Sequence, residues 1–574
     1  MAEHPYTDAR AETLNSIRAN PDVTVLIIGG GINGAGLFRE LALQGVDVLL
    51  AEKSDFCAGA SAASSHMIHG GLRYLENGEF RLVREALRER NLLLRNAAHY
   101  VHPLPTTIPI FSWTSGALLA AQKFLRLADR PGSRGALLVK TGLTLYDLFT
   151  RSQRVMPAHR FTARTAALRR RPQLNPKIVC TATYYDAWIS HPERLCLELI
   201  LDAEAAAPQA RALNYLAAES LQGGAVRLRD RLSGETLEVR PRVVVNATGA
   251  WIDQTNGALS RQTGFIGGTK GSHLLIDSPE LHQAIDGQMF FYENGDGRIC
   301  IVFPYYDKVL LGSTDIYVDD PEAVRCEDDE VAYMLDSLRQ VFPGIQIAPE
   351  QIVFRYCGVR PLPRSDAATP GQVSRDYRCE VLPPDGKRTF AIYSLIGGKW
   401  TTFRALSEHV GGQLLAALGL PPRRSTATLP IGGSRGYPHT PAERQRWVAG
   451  LAGETGLPPT RVQTLLERYG TYAASVARHQ AAGPDAPLHA LPGYTRREIG
   501  FLAACEKVAL LSDLVLRRTT IAMLGLLTPE LLEELADAAG DALGWNDMQR
   551  REQIERTAEL LERAHGVQLA LAAV

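Results

Sequence analysis

Val23-Thr-Val-Leu-Ile-Ile-Gly-Gly-Gly-Ile-Asn-Gly34 is the stretch whose reading decides the fold. Val23–Ile28 is a short apolar run closed by three glycines. Ile32–Gln44 then has helical spacing and stops at Gly45, and Val46–Ala51 is a second apolar run. The order reads as β-α-β. Gly29, Gly31 and Gly34 satisfy G-x-G-x-x-G between strand and helix, and the acidic Glu52 closes the second strand, so spacing and context both fit a dinucleotide site. The first glycine permits the tight turn, the second lets backbone amides approach a pyrophosphate, and the third lets helix and strand pack closely. The helix N-terminus supplies partial positive charge for the anion. Glu52 is placed to accept hydrogen bonds from an adenosine ribose.

The chain around this unit has 574 residues. Single cores stop growing near ~250–300 residues, so two or three domains are expected. Apolar residues at 45% and charged residues at 22% are ordinary globular values, which argues against extended disorder or a polytopic membrane protein. Lys+Arg and Asp+Glu both number 62, so no global field draws nucleic acid and an anion site must be a local cluster. Cysteines 57, 180, 196, 300, 326, 357, 379 and 505 show no CxxC and no metal-ligand spacing. Reduced thiols, no metal and a cytosolic compartment are expected. The N-terminus has no basic region followed by an apolar core, and no apolar run reaches the ~18 residues of a spanning helix, so any membrane contact is expected to be peripheral.

Glu79–Ala97 reads as an amphipathic surface helix, with Phe80, Val83, Leu87 and Leu94 on one face and Arg81, Arg84, Arg88 and Arg90 as solvated charges on the other. Residues 225–250 read as a hairpin turning at Ser233-Gly234, followed by the apolar strand Val243–Val245 entering Asn246-Ala247-Thr248-Gly249. Met289–Tyr292, Arg298–Phe303 and Val309–Gly312, separated by turns at 294–297 and 307–308, read as an antiparallel sheet suited to covering a cofactor. Leu420–Pro441 is dense in Pro, Gly and Ser and reads as a linker. Beyond it the pattern is helical, with a capping box at Thr495 and Glu498 and an N-cap at Thr528-Pro529. No internal repeat is present.

The glycine motif alone allows NAD or FAD. Its place near the start, the large insertions and the returning strand that ends in Ala247-Thr248-Gly249 favour FAD. Residues 58–76, AGASAASSHMIHGGLRYLE, then resemble the serine-rich loop and H-G-G-L-R-Y-L-E stretch of the FAD-dependent, respiratory glycerol-3-phosphate dehydrogenases. Lys270-Gly-Ser-His273, Gly312-Ser-Thr-Asp315, Gly358-Val-Arg-Pro-Leu362, Gly397-Gly-Lys-Trp-Thr-Thr-Phe-Arg404, Arg468-Tyr-Gly470 and Leu516-Arg-Arg-Thr519 agree in order, so the similarity spans nearly the whole chain. The resemblance implies an α/β (α+β) fold. Its parts are a Rossmann-like FAD-binding domain of the glutathione-reductase/D-amino-acid-oxidase type (20–105, 165–260 and 350–418), an antiparallel substrate or cap domain (106–164 and 261–349) and an all-helical C-terminal domain (440–574). Ser61, Ser64, Ser65, Thr248, Gly249, Gly398 and Thr401 join Gly29, Gly31, Gly34 and Glu52 as expected FAD contacts.

Flavin oxidation of a secondary alcohol needs a hydride path from the carbinol carbon, a base for the hydroxyl proton and cations for a substrate phosphate. Arg73, Arg360 and Lys399 lie in the glycine-flanked blocks that the resemblance places around flavin and substrate. Guanidinium groups bind phosphate bidentately, and Lys acts as a point charge. Arg360 and Lys399 are also expected to act in catalysis. His69 and His273 are both candidate bases, since neutral imidazole takes a proton near pH 7. Arg360 alone could instead stabilise the developing alkoxide. Tyr74 and Thr314 are candidate substrate donors. Two positions depart from the family's pattern: His66 stands where many relatives carry lysine, and His191-Pro192 stands where relatives often show an aspartate pair.

These features lead to sn-glycerol 3-phosphate as the expected substrate, with another polyol phosphate such as an erythritol phosphate as the alternative. A membrane quinone is the expected acceptor, with an oxygen-using oxidase as its rival. Residues 113–127 and 143–149 combine apolar side chains with a few cations, a pattern suited to a bilayer interface or to a buried cap helix. The implied setting is a cytoplasmic homodimer held peripherally on the inner face of the membrane, with no nucleic-acid partner. A tRNA-binding flavoprotein is disfavoured by the zero net charge, and an inactive flavin-binding partner by the presence of Arg73, Arg360 and Lys399.

Overall fold

The computed structural model describes residues 6–72, 79–114, 135–150, 155–365 and 376–571. Along the chain come β1 (Asp22–Ile28), α1 (Ile32–Leu43), β2 (Val48–Ala51), α2 (Phe80–Asn96), β3 (Val101–Ile110), β4 (Cys180–Ile189), α3 (Pro192–Ala206), β5 (Ala210–Leu213) and β6 (Thr236–Asn246). They are followed by β7 (Thr269–Ile276), β8 (Met289–Glu293), β9 (Ile299–Tyr305), β10 (Lys308–Gly312), β11 (Ile352–Arg360), β12 (Ala391–Ile396) and α4 (Phe403–Leu418).

The opening β-α-β unit is present as expected, and it belongs to a sheet ordered β12-β6-β1-β2-β5 in which these strands run parallel. Parallel strands covered on both faces read as continuous apolar runs, which is the pattern of β1, β2 and the end of β6. On one face α1, α3 and α4 bury Leu37, Leu199 and Leu406; on the other, the helix Tyr6–Ala19 and the antiparallel ribbon that leads into β6 bury Ile17 and Val226. Gly36 brings α1 and α4 together: a Cβ there would lie 2.6 Å from the Phe403 ring. The hairpin expected before β6 exists, but hairpin and parallel strand are one continuous strand. Its first half pairs antiparallel with Ala225–Asp230, and its second half pairs with β1 and β12.

The second sheet is antiparallel apart from the parallel joint between β3 and β8. β8, β9 and β10 form the expected meander, with the second turn at Tyr306-Asp307, one position earlier than the sequence suggests. β4 and β11 pair in this sheet, although they fall within 165–260 and 350–418, the stretches grouped with the dinucleotide-binding part. The C-terminal helices cover the sheet's outer face, where Leu275, Phe303 and Phe354 share a core with Leu465, Leu502 and Leu531.

Residues 420–441 do not hang free. Arg39 Nη2 donates to Pro430 O (2.8 Å) and Gly433 N to Glu198 Oε2 (3.1 Å), so the segment is strapped across α1 and α3. Thr528 caps its helix as expected, accepting from Leu531 N at 3.2 Å. Thr495 caps the helix Arg496–Cys505, but the Glu498 carboxylate accepts from Tyr469 Oη (2.6 Å) and Arg468 Nη1 (3.0 Å). Arg90 corrects the surface reading of α2: it is buried and donates to Asp186 Oδ1 at 2.9 Å and Tyr146 Oη at 2.8 Å.

Candidate flavin and substrate site

The glycine turn at the end of β1 is shaped by backbone approach. Gly29 has φ +109°, and a Cβ there would lie 2.6 Å from Ala247 O; a Cβ on Gly34 would lie 1.9 Å from Gly29 O. No side chain fits at either position, so this turn and the Ala247-Thr248-Gly249 turn after β6 come within backbone contact. α1 starts at Gly31 with no side-chain cap, which leaves its first amides for an anion or a neighbouring loop. Ser61 takes one of them, its Oγ accepting from Ile32 N at 3.0 Å. Glu52 accepts from Gly30 N (2.6 Å) and Ser54 N (2.8 Å); burial raises its pKa, while these two amides hold the charge in place.

The Gly397–Thr402 loop after β12 closes on the same turn. Asn33 Nδ2 donates to Gly397 O (3.1 Å), and Trp400 Nε1 donates to Ser61 O (2.9 Å). Gly398, at φ +87°, lies where a Cβ would be 2.5 Å from the Asn33 amide. Thr401 Oγ1 accepts from His69 N (3.2 Å), which ties the loop carrying Lys399 to the H-G-G segment. Gly70 N in turn donates to Asp186 Oδ1 (3.0 Å), the carboxylate that Arg90 pairs with. Arg90, Asp186 and Tyr146 thus support the segment from below. Only the arginine's place on a mixed helix face hints at this in the sequence.

A second group gathers at the ends of β7, β10 and β11. Ser65 Oγ and His273 Nε2 are 2.7 Å apart, and the His273 ring stacks on Tyr356 with centroids at 5.0 Å. Burial, and then the positive Arg360 nearby, hold His273 well below the ordinary imidazole range, so it is neutral at pH 7. Arg360 lies over Gly271, where a Cβ would be 2.1 Å from Nη2, and it donates to Asp315 Oδ1 (2.8 Å) and Ser313 Oγ (3.1 Å). Thr314 is buried: its hydroxyl donates to Glu330 Oε1 (2.7 Å) and accepts from Ser272 N (2.9 Å), so its side chain braces this corner. The serine-rich loop joins the two groups. Ser61 faces the glycine turn and Ser65 faces His273, while between them Ser64 O accepts from Tyr356 Oη (2.9 Å). Thr248 Oγ1 donates back to Asn246 Oδ1 (2.6 Å), and Gly249 takes φ +62°. Arg73 and Tyr74 lie outside the described residues.

Two buried polar atoms near the glycine turn, Asn33 Oδ1 and Trp251 Nε1, have no hydrogen-bond partner among the described residues. Together with a cradle that admits no side chain and a helix N-terminus whose own cap residue, Gly31, offers no side chain, they fit a bound dinucleotide. Comparison with known proteins identifies which. Residues 24–403 match the FAD dependent oxidoreductase family model, and residues 424–550 match the C-terminal domain of alpha-glycerophosphate oxidase. A glycerol-3-phosphate dehydrogenase of Synechocystis is 32% identical over 95% of this chain and 97% of its own.

The chain belongs to the FAD-dependent glycerol-3-phosphate dehydrogenase family.

Within that family, the aerobic glycerol-3-phosphate dehydrogenase of Escherichia coli is 33% identical over 67% of this chain and 72% of its own. A D-erythritol 1-phosphate dehydrogenase of Brucella abortus is 34% identical over 68% and 73%. The fold matches the FAD-complexed glycerol-3-phosphate dehydrogenase of Bacillus halodurans with a TM-score of 0.73 at 21% identity, over 98% of this chain and 99% of that one. The protein is an FAD-dependent oxidoreductase with the mixed α/β fold and helical C-terminal part expected from its sequence.

Both departures from the family's pattern are buried. His66 packs edge-on to Tyr305, donates from Nδ1 to Ile189 O (3.1 Å) and is held by burial at a pKa of about 4. His191 shares a hydrogen bond with Tyr306 Oη (2.9 Å) and packs on Tyr100. Both imidazoles are neutral at pH 7, lowered first by burial.

Proposed function

We propose that the protein oxidises sn-glycerol 3-phosphate at C2 to dihydroxyacetone phosphate and passes the electrons to a membrane quinone. Gly29, Gly31, Gly34, Glu52, Ser61, Ser64, Ser65, Thr248, Gly249, Gly398 and Thr401 hold FAD. The flavin, when bound, supplies the two-electron acceptor for the C2 hydride. Arg360, Lys399 and Arg73 bind the phosphate and polarise the hydroxyl, with Tyr74 as a further donor. His273 or His69 takes the hydroxyl proton, and the neutrality of His273 is the state a base requires. Thr314 acts by bracing the Arg360 corner, through Glu330, more than by touching substrate.

The observation that carries this reading is Arg360: a guanidinium set between Gly271 and Asp315, beside an imidazole that Ser65 ties to the dinucleotide loop. Anaerobic bleaching of the flavin by a panel of sn-glycerol 3-phosphate, D-erythritol 1-phosphate and unphosphorylated glycerol tests it, with the first expected to reduce the flavin fastest. The erythritol phosphate reading, supported by the Brucella relative, prevails if the second does. Arg360→Ala should retain FAD and lose about 1.5–3 kcal/mol of transition-state binding, roughly 10- to 150-fold in turnover. Wild-type turnover in that variant would sink the assignment.

The quinone reading is supported by exposed Phe111, Trp113, Leu137 and Leu148 beside residues 115–134, which lie outside the described residues. Residues 143–149 are mixed: Leu143 and Tyr146 are buried in the core, and Leu148 is exposed. No helix among the described residues is long and apolar enough to cross a membrane, so the proposed contact is peripheral. Co-sedimentation with anionic vesicles tests it, and stoichiometric peroxide formation without quinone would favour an oxidase instead.

A further inference from the structure

Asp55 stands three positions after the carboxylate expected to hold the adenosine ribose, and it is wholly buried. It accepts from Arg518 Nη1 (2.8 Å) and Nη2 (2.9 Å), from Arg517 Nε (2.5 Å) and from Asn214 Nδ2 (3.0 Å). Both arginines belong to the C-terminal helices, in the π-helical turn Leu514–Arg518. Neighbouring side chains on a regular helix diverge, whereas this widened turn brings two consecutive guanidinium groups to one carboxylate. The turn is itself anchored: Arg517 Nη2 donates to Asp513 Oδ1 (2.9 Å) and Arg518 Nε to Glu506 O (2.7 Å).

The other side of Asp55 leads directly to the glycine turn. Glu52 takes Gly30 N, and Cys57 N donates to Gly30 O at 3.0 Å, so residues flanking Asp55 hold the Gly30 residue at both its amide and its carbonyl. Leu216 N donates to Glu52 O (2.7 Å) and Tyr215 N to Ser54 O (2.9 Å), which leaves Asp55 as the point where this segment meets the C-terminal helices. Asp55 is not needed merely to dock those helices. Arg194 Nη2 to Glu506 Oε1 (2.7 Å), Lys507 Nζ to Glu204 Oε2 (2.9 Å) and Tyr215 Oη to Asp513 Oδ1 (2.6 Å) make the same junction elsewhere.

We propose that Asp55, gripped by Arg517 and Arg518, is a positioning residue through which the C-terminal helices set the adenosine half of the FAD site. The C-terminal part is then a working element of cofactor binding, and the bound cofactor and the helices stabilise each other, because coupling between two sites is reciprocal.

The test is titration of the full-length apoprotein with FAD, and separately with ADP as a probe of the adenosine half alone. It compares wild type with Asp55→Asn, Arg517→Lys and Arg518→Lys. The lysine variants keep the charge and lose the planar fork. Each should weaken FAD and ADP by the same factor, within the roughly 5- to 150-fold range typical of coupling between sites, while the helices stay folded by circular dichroism. Unchanged FAD and ADP affinity in folded variants would overturn the proposal, as would loss of FAD affinity with ADP affinity intact. If Asp55→Asn does not fold, hydrogen exchange on wild type decides: FAD should slow exchange of the amides in residues 506–518, and unchanged rates there would overturn it.

Discussion

The glycine turn between β1 and α1 and the junction between α3 and the C-terminal helices fasten the chain in opposite ways. At the turn, backbone meets backbone: Gly29 and Gly34 leave no room for a side chain, Gly34 against the neighbouring Gly29 and Gly29 against the Ala247 turn after β6. At the junction, charge meets charge across hundreds of residues. Arg194 donates to both oxygens of Glu506, and Arg517 and Arg518 converge on Asp55, with Glu506 and Asp55 both fully buried. Although burial works against its ionisation, Arg518 and Arg517 hold Asp55 below the ordinary carboxylate range. The turn tolerates almost no added volume, while the junction tolerates no lone charge. Each therefore fails under a different kind of substitution.

The largest effect is expected at the junction. Arg194→Leu strands the Glu506 carboxylate in a site with 0% exposure and should cost about 3–5 kcal/mol in urea unfolding. Adding Glu506→Leu should restore most of that loss, because a buried pair replaced by apolar groups is often close to neutral. If the double variant is as unstable as the single one, lost hydrogen bonds to Tyr100 and Arg518 O dominate, and the junction is held less by charge than by geometry.

At the turn, Gly34→Ala forces a methyl to within 1.9 Å of Gly29 O and should abolish FAD binding while costing about 1–3 kcal/mol of stability. Gly412→Ala is the matched control. It lies in α4, exposed, with nothing within 4 Å of the point its methyl would occupy, so it should stabilise by about 0.4–1 kcal/mol through lower chain entropy and leave FAD affinity unchanged. Equal effects of the two would mean that approach of the backbone does not govern the turn.

The same contrast separates what the sequence makes legible from what it hides. Gly29, Gly31, Gly34, the β-α-β order, the meander β8–β10 and the caps at Thr495 and Thr528 are local, set by turn sterics, side-chain period and helix ends. Their physics fits inside a short window. Arg90 is legible only as one charge among several on a mixed helix face, because its partner Asp186 lies 96 residues away. The Asp55 clamp spans 463 residues, and nothing near Asp55 marks it as more than a loop acid. β4 and β11 join the second sheet because an apolar strand carries no label for its partner. The blocks around Arg360, His273 and Lys399 are identifiable through resemblance, but their relative placement depends on the stacking of His273 on Tyr356 and on the bond between Thr401 and His69.

The most selective test of the junction's electrostatics is read against pH. Glu193, in the first turn of α3 beside His191, is buried, and burial pushes its pKa up to about 7 despite its own helix-end amide and Arg517. The folded protein therefore binds a proton that the unfolded chain, with an ordinary Glu value near 4.5, has already released. Below that value both states are protonated and the contribution is fully present; as pH rises through about 7 it is lost, since the folded state must then carry a buried carboxylate. Glu193→Gln removes this titration. Relative to wild type, the variant should match in stability at pH 4.5 and gain roughly 1–3 kcal/mol by pH 8, measured as the difference between urea unfolding curves. His66 acts with the opposite sign: its lowered pKa of about 4 adds stability above the unfolded value near 6.5 and loses it as pH falls toward 4, so only the difference between variant and wild type isolates Glu193. A flat difference across that range would show that Glu193 reaches solvent or Arg517 as a carboxylate, and that the junction manages a lone acid as well as paired ones.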